Sequence, residues 1–149
     1  FPSHLSSMPT QIALAETDSD IARCFAVMLQ LRPHLVEGDF VPRVRRMQGE
    51  VFHLAYLAAD GVVRAVAGYR YYAKLSSGKN LSVDDLVSDS TLRSRGHGRA
   101  LLAWLAAEAR AHGCVQLALD SGVQRCDAHR FYFRERLRIS AYHFVVALE

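Results

Sequence analysis

Between Leu81 and Leu102 the chain reads as an apolar strand, a short polar loop, a glycine-punctuated turn and the start of a long helix. That stretch restricts the fold more than any other. The helix runs from about Gly98 to His112, with Leu101, Leu102, Leu105, Ala106 and Ala109 as an apolar stripe and Gly113 placed to end it. Val115 to Leu119 follows as a short, nearly all-apolar strand, the pattern of a strand covered on both faces. Strand, helix and strand in this order predict a right-handed crossover and a parallel pair.

The segments before it predict an antiparallel meander. Val51 to Ala58 alternates as a strand, Asp60-Gly61 is a hairpin turn, and Val62 to Tyr72 returns as the partner, with Gly68 marking a bulge or a close approach. Ser76-Ser77-Gly78-Lys79 makes the next turn, into the strand Leu81 to Ser88. Ahead of these, Gln11 to Ala15 reads as a short strand. A helix from about Asp20 to Leu31 follows, capped by the polar run from Glu16, with Ile21, Phe25, Met28 and Leu29 on its buried face and Pro33 as its stop. A second helix is expected over Phe40 to Gln48, a further one over Asp127 to Arg136, and a final strand over Ile139 to Leu148. The sum is a mixed, mostly antiparallel sheet with helices on both faces, in one domain over residues 11–149. Residues 1–10 are expected to lie outside the fold as a disordered or expression-derived segment.

With 149 residues, half of them apolar, the chain can bury a substantial core. The net charge of +3 is small and dispersed, and no recognition motif accompanies it, so nucleic acid is not an expected partner. No run approaches the ~18 apolar residues of a membrane span, so no membrane partner is expected. Cys24, Cys114 and Cys126 are odd in number and lack metal-ligand spacing, which points to reduced thiols, a cytoplasmic setting and no metal.

The turn Arg93-Ser94-Arg95-Gly96-His97-Gly98 stands where the long helix begins. N–H groups at a helix start have no intrahelical partners and carry the positive end of the dipole, so they suit a phosphate. Gly96 and Gly98 permit close approach to the backbone, and Arg93, Arg95 and Arg99 add charge. No Lys-Ser/Thr follows Gly98, which excludes a P-loop. The third glycine of the dinucleotide fingerprint is missing, although Asp120 stands at about the right distance for its acidic residue.

Arg-x-x-Gly-x-Gly followed by Arg-Ala-Leu-Leu, after a strand ending Asp-Leu-Val-Ser-Asp, resembles the acetyl-CoA signature of the GNAT family of N-acetyltransferases. Ala128-His129-Arg130-Phe131-Tyr132 is similar to that family's later Ala-x-x-Phe-Tyr helix, and the likeness spans roughly Gln11 to Leu148. The resemblance implies a GNAT-like fold in which the strands equivalent to Leu81–Ser88 and Val115–Leu119 splay apart. In that family the pantetheine arm pairs with the exposed backbone, here that of Leu86 and Val87, and the pyrophosphate rests on the turn. The cofactor-binding set is then Leu86, Val87, Arg93, Ser94, Arg95, Gly96, His97, Gly98, Arg99 and Ala100. His97 serves there as a spacer whose backbone matters more than its ring.

The same resemblance implies catalytic roles. Tyr132 matches the family's tyrosine near the sulfur and would act as general acid, a role suited to a hydroxyl of pKa ~10. By analogy with the diamine acetyltransferases, Asp84 would be the general base or bind the amine. As neighbours on a strand, Asp84 and Asp85 are expected on opposite faces, so only one looks into the acceptor pocket. His129 reads as a capping or packing residue, with proton shuttling as the alternative. The chain departs from the family pattern at Arg136, where a glycine is usual, at Leu137 for an aromatic, and at Arg125 for an asparagine. The turn after the last helix is therefore expected to be built differently.

The implied activity is acetyl transfer from acetyl-CoA to a primary amine by direct attack in a ternary complex. No cysteine falls in the catalytic motifs to carry an acetyl-enzyme. The alternative is a non-catalytic sensor or regulatory module that binds CoA or acetyl-CoA. The acceptor is a small-molecule or peptide amine, its pocket drawn from residues 31–48, 69–79 and the final strand. A homodimer through a sheet edge or the last strand is common in that family.

Overall fold

The structure, a computed structural model, describes residues 10–149, with the side chains at positions 93 and 94 outside that description. The expectation for the N-terminal segment therefore falls almost entirely outside the described residues. The chain forms two compact units, the first ending at Ala118 and the second comprising Leu119–Glu149.

The first unit is built on a sheet of order β1-β2-β3-β4-β5: β1 Gln11–Leu14, β2 Phe52–Ala59, β3 Val62–Lys74, β4 Gly78–Ser88 and β5 Gln116–Leu119, whose last residue opens the second unit. β1 to β4 pair antiparallel in succession. The β2–β3 hairpin turns through Asp60 and Gly61, at φ of 54° and 77°, the pair of positive values that a two-residue turn of this hand requires. Before β2 come helices α1 Asp18–Arg23, α2 Phe25–Leu31 and α3 Glu37–Gln48. Between β4 and β5 stand a 3-10 helix, Ser90–Arg95, and α4, His97–Ala111.

Alternation along the strands divides the core in two. Phe52, Leu54, Tyr56 and Ala58 of β2 join Phe25, Val27, Met28, Phe40 and Val44 in the cluster under α1–α3. Ala55 and Leu57, of the other parity, are also fully buried, and α4 packs on β2, β3 and β4 with Leu101 and Leu105 fully buried. Full burial of each such leucine contributes about 1.5–3 kcal/mol. Helices thus cover both faces, as the sequence predicts.

The helix expected over Asp20 to Leu31 is interrupted at Cys24. The Cys24 thiol reaches the Asp20 carbonyl at 3.3 Å, and its N–H turns to the Ile21 carbonyl at 3.0 Å, so the i to i−4 ladder is broken there. α1 begins where Thr17 Oγ1 accepts from Asp20 N at 3.1 Å. No described helix is long and apolar enough to cross a membrane.

The second unit carries α5, Cys126–Arg134. The segment expected as a final strand, Ile139 to Leu148, forms no ladder in the structure. Its β-branched and aromatic residues satisfy the strand propensity, but strand identity needs a hydrogen-bonded partner, which propensity does not supply. Arg136 adopts φ of 68°, the left-handed conformation a glycine takes after a helix. Leu137 N donates to Tyr132 O and Arg136 N to Phe133 O, both at 3.0 Å, the bond pattern of a Schellman cap. The turn is thus built in the ordinary way, with an arginine in the glycine position, which corrects the expectation of a different one.

Candidate functional site

β4 departs from regular pairing in its middle. Gly68 of β3 faces Asp85 while Tyr69 faces Val83, so Asp84 is an extra, bulged residue. The bulge overturns the expectation that Asp84 and Asp85 face opposite sides. Asp85 lies across from Gly68 and bonds Arg32, which follows α2; Oδ1 accepts from Nε at 2.9 Å. Asp84 bonds Arg70, which shares its register position with the core residue Phe52, through two contacts of 2.8 and 3.1 Å. Both carboxylates therefore meet arginines on the face of α1–α3. Period-two alternation fails here because two residues of β4 stand against one position of β3.

The bulge is fastened from three sides. Arg32 Nη2 donates to the Asp84 carbonyl at 3.0 Å, tying the end of α2 to the bulged peptide. Arg70 grips the Asp84 side chain in bidentate geometry. At Gly68 a Cβ would stand 2.6 Å from Asp85 Oδ2 and 2.6 Å from Phe52 Cζ, so only glycine leaves room for the carboxylate. Burial lifts the Asp85 carboxyl above its ordinary range, against the opposing pull of Arg32. Hydrogen bonding to Asp84 raises the Arg70 guanidinium in turn. The Asp84 side chain is 29% exposed and that of Asp85 15%, so Asp84 is the more accessible of the two.

A solvent-open cavity of about 400 Å³ lies beside Arg70, lined by Val51, Arg70, Tyr71, Tyr72 and Ser82. Sequence reasoning singled out Asp84 but neither Arg32 nor Arg70. Each lies far from its partner in sequence, and no local pattern marks the pairing.

Beyond the bulge, β4 continues through Leu86 and Val87, which pair with Ala67 and Val66. Val115 N donates to Lys79 O at 2.8 Å, bringing the start of β5 alongside the start of β4. A four-residue strand entering there and running parallel ends near Val83, so the Leu86–Val87 stretch lies past its reach. The short β5 thus leaves the Leu86–Val87 stretch of β4 beyond its end, where the family resemblance implies a splayed pair.

The chain then enters the glycine turn through Asp89. Its carboxylate accepts from Thr91 N at 3.1 Å, Thr91 Oγ1 at 2.9 Å and Arg64 Nη1 at 3.2 Å, and Gln30 Oε1 accepts from Ser90 N at 2.9 Å. The Thr91 bonds hold the Asp89 carboxyl below its usual range. Arg93, Ser94 and Arg95 belong to the 3-10 helix, and Arg95 is exposed. Gly96, at φ 78° and ψ 14°, caps α4, and nothing lies within 4 Å of where its Cβ would stand. The first intrahelical bond runs from Ala100 N to Gly96 O, so the N–H groups of His97, Gly98 and Arg99 precede it. The first turn holds no acidic residue, and His97 Nδ1 is buried with no hydrogen-bond partner among the described residues. An open cap and leading N–H groups fit an anionic, phosphate-bearing ligand.

In the second unit, Tyr132 sits in α5 with its ring 5.6 Å from that of Phe131. His129 Nε2 bonds the Gly122 carbonyl at 2.9 Å, fastening the preceding loop to the helix, in line with a capping role. Of the cysteines, Cys24 is buried, which pushes its thiol up to about 12.

Comparison with known proteins agrees with this geometry. Residues 17–137 match the model of the acetyltransferase (GNAT) family. The chain is 34% identical over 112 residues to an uncharacterised N-acetyltransferase, YhdJ, of Bacillus subtilis, covering 74% of this chain and 79% of that one. It is 39% identical over 66 residues to an aminoalkylphosphonate N-acetyltransferase of Salmonella typhimurium, covering 44% of this chain and 43% of the relative. An aminoglycoside N-acetyltransferase solved in complex with CoA shares the fold, with a TM-score of 0.81 at 13% identity over 94% of this chain and 96% of its own. Glycine turn, short β5 and family match agree, and the chain belongs to the GNAT family of acetyltransferases.

Proposed function

We propose that the protein transfers the acetyl group of acetyl-CoA to a primary amine by direct attack in a ternary complex. The observation that carries this reading is the open N-terminus of α4 behind Gly96, at the end of a β4 whose second half lies past β5. When bound, acetyl-CoA supplies the activated acetyl thioester. The leading N–H groups of His97, Gly98 and Arg99, in the turn that Ala100 closes, and the charges of Arg93, Arg95 and Arg99 would hold its phosphates, with Ser94 in the same turn. The Leu86 and Val87 backbone would pair with its amide-bearing arm, as an added strand pairs with an edge.

The acceptor is a primary amine, which must lose a proton before it attacks. Asp84, the more accessible carboxylate at the bulge, binds the ammonium and takes that proton. The amine nitrogen forms the amide bond as the C–S bond breaks, and the Tyr132 hydroxyl gives its proton to the departing sulfur. Named activities of relatives, on aminoalkylphosphonates and aminoglycosides, are of the same reaction type.

Calorimetric titration with acetyl-CoA tests the cofactor site. One-site binding that Gly98→Trp abolishes is expected, and absence of binding by the wild-type protein overturns the reading. Tyr132→Phe then separates an enzyme from a sensor. A loss of about 100-fold in thiol release with acetyl-CoA affinity kept is expected of a general acid. An unchanged rate removes Tyr132 from the mechanism, and absence of thiol release from the wild type with any amine favours the sensor.

A further inference from the structure

The bulge presents two opposite charges to solvent, those of Asp84 and Arg70. Asp84 is bound in bidentate fashion by Arg70, at 2.8 and 3.1 Å, and both side chains are reachable from solvent, at 29% and 52% exposure. Arg70 also lines the 400 Å³ cavity, together with Tyr71, Tyr72 and the hydroxyl-bearing Ser82. The second pair, Arg32 and Asp85, is set deeper, locked by Gly68 and by the Arg32 bond to the Asp84 carbonyl. The deeper pair holds the backbone, and the outer pair is the one that can be exchanged.

A plain ammonium approaching Asp84 competes with a guanidinium already seated in the best geometry for a carboxylate. Displacing it leaves Arg70 without its counter-charge. An acceptor that carries an anionic group beside its amine removes that cost, because one ion pair is exchanged for two. We infer that the acceptor is a small zwitterion, its ammonium received by Asp84 and its carboxylate, phosphonate or phosphate by Arg70 at the mouth of the cavity. The cavity volume suits a molecule of metabolite size. This inference rests on the acetyltransferase reading, since it takes the bulge as the acceptor side of the reaction.

The test is equilibrium binding of matched acceptors, independent of turnover. Calorimetric titrations compare 3-aminopropanoate with propylamine and 2-aminoethylphosphonate with ethylamine, the two pairs separating a carboxylate from a phosphonate. The zwitterion of at least one pair is expected to bind about tenfold tighter or more, the discrimination of one charge-assisted contact. Arg70→Gln collapses that ratio toward one, Arg70→Lys restores part of it, and a thermal melt confirms that both variants fold. Equal binding within both pairs, or a ratio that survives Arg70→Gln, overturns the inference. Failure of the acetyltransferase reading shows separately, as absence of acetyl-CoA binding.

Discussion

Replacing Gly68 by alanine is the most direct probe of how the site is held. The added methyl would stand 2.6 Å from Asp85 Oδ2 and 2.6 and 2.8 Å from the Phe52 ring. Neither neighbour can yield freely. Phe52 is 5% exposed within the cluster under α1–α3, and Asp85 is tied to Arg32 at 2.9 Å. Overpacking of this kind costs about 1–3 kcal/mol. Displacing Asp85 adds the loss of a pair whose arginine is 42% exposed and therefore screened, a smaller contribution than for a fully buried pair. A total of about 2–3 kcal/mol is expected. Urea unfolding monitored by circular dichroism measures it, and the same change should lower the melting temperature by about 4–10 °C. A double-mutant cycle with Asp85→Ala assigns the cause: removing the carboxylate first should recover about 1 kcal/mol of the alanine penalty. A Gly68→Ala protein within about 0.5 kcal/mol of wild type would refute the argument, because the crowding it rests on would then be absent.

Two further outcomes follow from groups outside the proposed chemistry. The Asp85 carboxyl is raised by burial in the folded protein from an ordinary value of 3.8, so the native state binds this proton more tightly than the unfolded chain. Its contribution is complete below 3.8 and is lost as pH rises through the raised native value. The unfolding free energy of Asp85→Asn minus that of wild type should therefore grow as pH rises above 3.8 and level off once the raised native value is passed. A difference that shrinks with pH would mean that pairing with Arg32 outweighs burial. Arg136→Gly relieves the left-handed backbone at φ 68° and should stabilise the α5 cap by about 0.5–1 kcal/mol in a thermal melt. Destabilisation would show that the arginine side chain contributes more than its backbone costs.

Legibility in the sequence followed the range of the physics. The Asp60-Gly61 hairpin, the apolar stripe of α4 and the glycine turn at its start rest on contacts within a few residues, and each appears where the pattern places it, with Gly96 as the cap one residue ahead of His97. The break at Cys24 was not legible, because it depends on a thiol choosing a carbonyl over solvent. Arg136 was misread because a departure from a glycine suggests a different backbone. The Schellman bonds from Leu137 and Arg136 nonetheless retain the left-handed cap despite its side-chain penalty.

By itself, then, the order of residues determined the α/β class, the crossover through α4, the glycine turn and the family. The class, the crossover and the turn follow from local periodicity, helix-terminus chemistry and the spacing of glycines, and the family from the resemblance of the Arg93–Gly98 and Ala128–Tyr132 motifs to its signature. Tertiary structure alone decided that Asp84 and Asp85 lie toward the same face, and which arginine each one meets. The reason is that a bulge belongs to the register between two strands, and a single strand's alternation carries no record of it. Arg32, 53 residues from Asp85, and Arg70, 14 residues from Asp84, become neighbours only when α2, β3 and β4 pack together.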